Sequence, residues 1–223
     1  MAEFDSEEMT RLKQWWNGNG MAIVMGAVVG LAVIIGWQGW NWYQDRQTTE
    51  AAGIYQKFQQ GVVSGNVNDA VLNTAERLKN NFAGTPYAAN AALRLAGHFV
   101  AQEDYAEARE QLAWAMNNAA NDGIRHIARV RAARLAWSQD DADKALKMLD
   151  AEHPSAFNAL YAEVHGDILA DQGDRDGAYK AYQQALESLP RDTPSRALES
   201  KRADNAPADA ADAPTEQKSA VAS

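Results

Sequence analysis

The chain has 223 residues, a net charge of −9 and no cysteine. Acidity without a basic cluster excludes a phosphate-neutralising nucleic-acid binder and a protein held on anionic lipid by charge. The missing thiols exclude disulfides, zinc–thiolate sites and thiol catalysis.

Residues 1–20 form a short head with Glu3, Asp5, Glu7 and Glu8, then Arg11 and Lys13. A cleavable leader starts basic and ends in small residues. Here the start is acidic and Trp15-Trp16 crowd the far flank, which predicts an uncleaved anchor. Residues 21–43 are the predicted transmembrane helix. Met21–Trp37 is a run of 17 residues without a charge. At about 1.5 Å per residue it reaches roughly 25 Å, and extension through Trp42 covers a hydrocarbon core of about 30 Å. Trp37, Trp40, Trp42 and Tyr43 suit the membrane–water interface. Ala22, Gly26 and Gly30 recur at spacing four and form a candidate helix-packing face, because small residues let backbones approach in lipid. Small residues are also common in spans that pack against nothing. Arg11 and Lys13 precede the span, and Arg46 and Lys57 follow it. The basic residues tie, and their closer grouping before the span tilts the orientation only slightly toward a cytoplasmic N-terminus.

Residues 44–66 read as a stalk and first helix, with Ile54, Tyr55 and Phe58 on one face and a turn cluster at Gly61, Ser64, Gly65 and Asn66. Residues 67–200 read as an array of helical hairpins. The last unit is the clearest. With Gly166 at position 8 of a 34-residue unit, Gly173, Ala178, Tyr182, Ala185, Leu186 and Pro190 fall at positions 15, 20, 24, 27, 28 and 32. Small residues at 8, 20 and 27 let two helices approach, a large one at 24 fills the gap, and glycine at 15 turns the chain. Leu95, Ala96, Phe99, Tyr105, Ala108, Leu112 and Ala115 match in an earlier unit, with Glu103 in place of the turn glycine. Ala133, Ala145 and Leu149 match in another. The aligned alanines Ala70, Ala108, Ala145 and Ala178 lie 38, 37 and 33 residues apart, so the repeat is divergent. The predicted helices are 67–81, 86–101, 104–119, 122–139, 141–151, 154–172 and 174–189, with Asp104, Asp140 or Asp141, and Asp174 as N-caps. A short closing helix is expected in RDTPSRALESKR, and residues 201–223 are expected to be a disordered tail. The predicted fold is therefore all-α: one N-terminal transmembrane helix, then a tetratricopeptide-like α-solenoid of about three to four hairpins.

Such an array binds along the concave face lined by the first helix of each hairpin. By repeat position that face would include Leu93, Val100, Val130, Arg134, Trp137, Leu160, Glu163 and Asp167. A mixed apolar groove of this kind suits an extended peptide or a partner's loop. Leu93, Val130 and Trp137 equally fit a core if the register is displaced.

No catalytic, cofactor-binding or metal residue is predicted. His98, His126, His153 and His165 show no HExxH-like spacing, and no GxSxG, P-loop or GxGxxG is present. Asp140, Asp141 and Asp143 lack the glycine and terminal glutamate of an EF-hand.

The run LKQWWNGNG, the span ending in GW, WNWYQDRQ and the divergent repeat domain together resemble the ancillary SecYEG translocon subunits, the YfgM-type proteins of Gram-negative bacteria. The resemblance covers about residues 7–200. It implies a single-span protein of the bacterial inner membrane, embedded in the lipid bilayer, with a cytoplasmic N-terminus and a periplasmic helical domain. The implied partners are the SecYEG translocon, the membrane-anchored periplasmic chaperone PpiD and exported client polypeptides, with no cofactor. The implied role is a non-enzymatic scaffold or chaperone that helps pass exported proteins to periplasmic chaperones. The alternative is a membrane-anchored regulator that holds a cytoplasmic signalling protein through the acidic head.

Overall fold

The structure is a computed structural model that describes residues 2–190 and 193–207, without the side chains of residues 2–8 and 12. The acidic side chains of Glu3, Asp5, Glu7 and Glu8, and the tail from residue 208, lie outside what is described. The chain divides into two units, Met1–Gly53 and Ile54–Ser223.

The first unit is helical. Helix α1 spans Ala2–Val63 and runs on into the second unit. Among the described residues it is the one helix long and apolar enough to cross a membrane. Met21, Val28, Ile35 and Trp37 are all exposed on it. An apolar helix that the described residues of the chain leave uncovered suits an apolar solvent.

The second unit is a stack of helical hairpins. The first pairs the end of α1, Ile54–Val63, with α2 (Asp69–Asn81). A side-chain atom on Gly61 would collide with Val71, so the glycine allows this close approach. The next pairs are α3 (Pro86–Ala101) with α4 (Tyr105–Asn118) and α5 (Asp122–Trp137) with α6 (Ala142–Leu149). The last is α7 (Asn158–Asp171) with α8 (Arg175–Ser188), after which α9 (Arg196–Asp204) packs on α8. The helix expected over 154–172 opens instead as a 3-10 turn, Ser155–Phe157, directly after Pro154.

One turn is used four times. Among the described residues the backbone φ angle is positive at Gly65, Glu103, Asp140 and Gly173, with values of 71°, 62°, 61° and 82°. Each stands five residues before one of the aligned alanines, Ala70, Ala108, Ala145 and Ala178. Each is followed by an amide that donates back to a carbonyl five residues earlier: Asn66 to Gly61, Asp104 to Phe99, Asp141 to Ala136 and Asp174 to Leu169, at 2.8–3.1 Å. This is a helix C-terminal Schellman motif, which satisfies carbonyls the helix end leaves open. Two repeats meet its left-handed position with glycine and two with an acidic residue. The second helix then starts on a cap. Asp141 accepts from the Lys144 amide and Asp174 from the Gly177 amide. Asp104 sits at the same place without a side-chain capping bond.

Core packing follows the repeat positions. Position 8 holds Ala96, Ala133 and Gly166, and position 24 holds Leu112, Leu149 and Tyr182, all buried or lacking a side chain. Where position 24 is largest, position 8 is smallest. In the first hairpin the sizes reverse, with buried Phe58 at position 8 and Thr74 at position 24.

The closing helix continues to Asp204, beyond the tail boundary expected at residue 201. Leu198 is buried beside Tyr182 and Ala185 in the last core cluster. Lys201 Nζ pairs with Glu163 and Asp167, at 2.8 Å each. These contacts supply the ordering energy that composition alone did not reveal.

Candidate peptide-binding cleft

Helices α3 and α5 are the first helices of neighbouring hairpins, and alanine sets their spacing. Helix α3 starts with Pro86 at its first turn, where the missing N–H costs no bond. Helix α5 is capped by Asn121, whose side chain accepts from the Ile124 amide. Ala92, Ala96, Ala128 and Ala132 share one core cluster between them. Beyond that contact the two helices leave a cleft of ≈ 350 Å³.

Its floor is Ala96, Leu112 and Leu135, all buried. Gly97 and Val100 line it from α3, and Val100 is 41% exposed. Arg131 and Arg134 line it from α5, with Ser138 at the end of that helix. Both arginines are exposed, and no carboxylate lines the cleft. Arg131 Nη1 lies 3.5 Å from the Leu93 carbonyl, a long contact that aims the guanidinium across toward α3.

Gly97 differs from the other glycines inside helices α2–α8. At Gly166 an added Cβ would sit 2.6 Å from Tyr182 Cε1, and at Gly123 2.8 Å from Asn121 Oδ1. At Gly97 it would meet nothing within 4 Å. A glycine in a helix interior costs about 1 kcal/mol relative to alanine, and here packing gives no reason for it.

Of the eight residues expected on the concave face, Val100 and Arg134 come together in this cleft. Leu93 and Val130 do not face it: they are core residues, 6% and 1% exposed. They occupy repeat position 5, which points at the next hairpin's first helix. Leu93 shares a cluster with Ala128 and Leu135 of α5, and Val130 with Tyr161 and Val164 of α7. Trp137 and Leu160 are half-buried against that second cluster. Trp137 Nε1 also donates to Asp171 Oδ2 at 2.8 Å, tying the ends of α5 and α7 together.

Glu163 and Asp167 are held by Lys201 of α9. Tyr182 Oη adds a hydrogen bond to Asp167 at 3.1 Å. Burial works against the Lys201 ammonium, but hydrogen bonds to Asp167 and Glu163 outweigh it and hold its pKa above the usual lysine value. Burial pushes the Tyr182 hydroxyl up, and the Asp167 charge adds to this. The acidic pair therefore serves to dock the closing helix.

Gly97, Arg131, Leu135 and Ser138 were not anticipated as lining residues. Two signals in the sequence point to Gly97 and Arg131: an unexplained mid-helix glycine, and an arginine three residues before Arg134 on one helix face.

His126 and His153 pack around Tyr161. His126 Nδ1 lies 2.9 Å from Tyr161 Oη, and His153 stacks on the Tyr161 ring at a 4.0 Å centroid distance. Burial lowers the His126 pKa, and the nearby Arg129 and His153 lower it further. Among the described residues no group of three or more histidines and carboxylates could hold a metal ion. On the apolar helix, Ala22, Gly26 and Gly30 are all exposed, and a Cβ at Gly26 or Gly30 would meet nothing within 4 Å.

Comparison with known proteins agrees with this architecture. A family model described as a tetratricopeptide repeat-like domain matches residues 13–206. The ancillary SecYEG translocon subunit of Escherichia coli (strain K12) is 28% identical over 83% of this chain and 89% of its own length. The protein of that name from Haemophilus influenzae is 26% identical over 82% of this chain and 89% of its own. The one from Neisseria gonorrhoeae is 27% identical over 87% of this chain and 93% of its own. The apolar helix and the hairpin array thus occur together in a membrane-anchored chain that belongs to the tetratricopeptide repeat-like domain family, with relatives that are ancillary SecYEG translocon subunits.

Proposed function

We propose that the protein is a non-enzymatic accessory subunit of the SecYEG protein-export channel in the bacterial inner membrane. Helix α1 crosses the membrane once between residues 21 and 43, with the N-terminus cytoplasmic and the hairpin array periplasmic. The array contacts exported polypeptides as they leave the channel and a membrane-anchored periplasmic chaperone of the PpiD type, and brings the two together. The observation that carries this reading is one chain holding both an uncovered apolar helix and a repeat array with an open cleft. The names of its relatives support the channel as the partner. The exposed Ala22, Gly26 and Gly30 edge offers close backbone approach to a neighbouring span.

The test is site-specific photocrosslinking in cells. A photoreactive residue at Val100 should capture a secreted precursor stalled in the channel, or the chaperone. A probe at Lys180, exposed on α8, should capture neither. Capture of cytoplasmic proteins from Val100 would reverse the orientation and refute the reading.

A further inference from the structure

We infer that the cleft between α3 and α5 selects an extended peptide segment in which a bulky apolar side chain is followed closely by carboxylates. This rests on the reading that the array binds polypeptides and specifies which ones.

Three observations carry it. The floor of Ala96, Leu112 and Leu135 is apolar, and ≈ 350 Å³ is at the small end of ligand pockets. It has room for one large side chain with its backbone. Gly97 is the second observation: it lines the cleft, and a Cβ there would meet nothing within 4 Å, so the helix leaves open space on that wall. Any side chain there would enter the space a ligand side chain needs.

Charge is the third. Arg131 and Arg134 stand one helical turn apart on the rim of a chain whose net charge is −9. Among the described residues no acid lines the cleft, so the rim is cationic where a ligand would enter. Planar guanidinium groups suit bidentate carboxylate binding better than any other side chain. Two arginines in an acidic protein are too few for a nucleic-acid backbone. A peptide carboxylate beside an apolar anchor satisfies both floor and rim.

The experiment uses the full chain in nanodiscs of phosphatidylcholine, a lipid without net charge. The probe is a fluorescein-labelled Gly-Ser peptide with a central Phe-Glu-Glu, read by fluorescence anisotropy. Control peptides carry Ala for Phe, or Lys-Lys for Glu-Glu. The Phe-Glu-Glu peptide should bind, each control should bind about tenfold or more weakly, and salt should weaken the first selectively. Arg131→Gln with Arg134→Gln should lose the preference for Glu over Lys, and the double lysine variant should keep part of it. Gly97→Leu should abolish binding by filling the cleft, with helix content by circular dichroism unchanged. Absence of binding by the Phe-Glu-Glu peptide, equal binding of the lysine peptide, or wild-type binding by Gly97→Leu would each overturn the proposal. The same preparations, pulled from membranes before reconstitution, are scored for translocon subunits. Co-purification without peptide selectivity sinks the cleft proposal alone. Peptide selectivity without co-purification sinks the channel assignment alone.

Discussion

Replacing glycine by alanine should have opposite signs at two positions of this array. At Gly166 the new Cβ would lie 2.6, 2.8 and 3.1 Å from three ring atoms of Tyr182. That ring is 2% exposed, and its hydroxyl is bonded to Asp167, so it cannot swing away. The helix gains about 1 kcal/mol in propensity, while overpacking costs about 1–3 kcal/mol, leaving a net loss of about 1 kcal/mol. At Gly97 the Cβ enters open space, so only the propensity gain of about 0.5–1 kcal/mol remains. For an array of this size each kcal/mol moves Tm by about 2–4 °C. Thermal denaturation followed by circular dichroism, in one detergent for all variants, should show Gly97→Ala above wild type and Gly166→Ala below it. The neighbouring repeats suggest the rescue, since they pair alanine with leucine as Ala96–Leu112 and Ala133–Leu149. Tyr182→Leu alone should cost about 2–3 kcal/mol, and Gly166→Ala added to it should restore about 1 kcal/mol of that. Stability at or above wild type for Gly166→Ala, or no coupling in the cycle, would refute the packing argument.

The shared turn predicts another pair of opposites. Glu103→Gly and Asp140→Gly relieve a left-handed residue and should each stabilise by about 0.5–1 kcal/mol, while Gly173→Ala should destabilise by about 1 kcal/mol, measured by urea denaturation. His126 has a folded pKa below its unfolded value, so the unfolded chain binds its proton first. Its contribution is complete above about pH 6.5 and is lost as pH falls toward the lowered folded value. His126→Asn should therefore flatten the fall in Tm between neutral and mildly acidic pH, and an unchanged slope would assign that fall to other groups. Gly26→Leu with Gly30→Leu should weaken recovery of partner membrane proteins while leaving membrane insertion intact, as read by resistance to carbonate extraction. Unchanged recovery would place the partner contacts on the array.

Much of the fold was legible because its signals are local. The 17 uncharged residues from Met21 mark a membrane-type helix, and small residues at fixed spacing mark the hairpins. Helices α3, α5, α6 and α8 start close to where they are expected because Pro86, Asn121, Asp141 and Asp174 punctuate them. The cleft was legible only in part. Of the residues chosen by repeat position, Val100 and Arg134 line it, whereas Leu93 and Val130 are core residues. Whether position 5 faces a ligand or the next helix depends on how closely successive hairpins approach, and no single hairpin encodes that distance. Glu163 and Asp167 read as binding residues because their partner, Lys201, lies 38 and 34 residues away in a stretch composed like a tail. The repeated left-handed turn was hidden at Glu103 and Asp140, where residue type gives no glycine signal and only backbone geometry reveals the equivalence.

The central claim is that this anchored array works at the export channel. It is tested most directly by extracting the full-length chain from its own membranes in mild detergent and identifying what co-purifies. The account predicts SecYEG subunits together with a periplasmic chaperone, both lost when residues 1–53 are removed. Recovery of the intact chain with neither would contradict it.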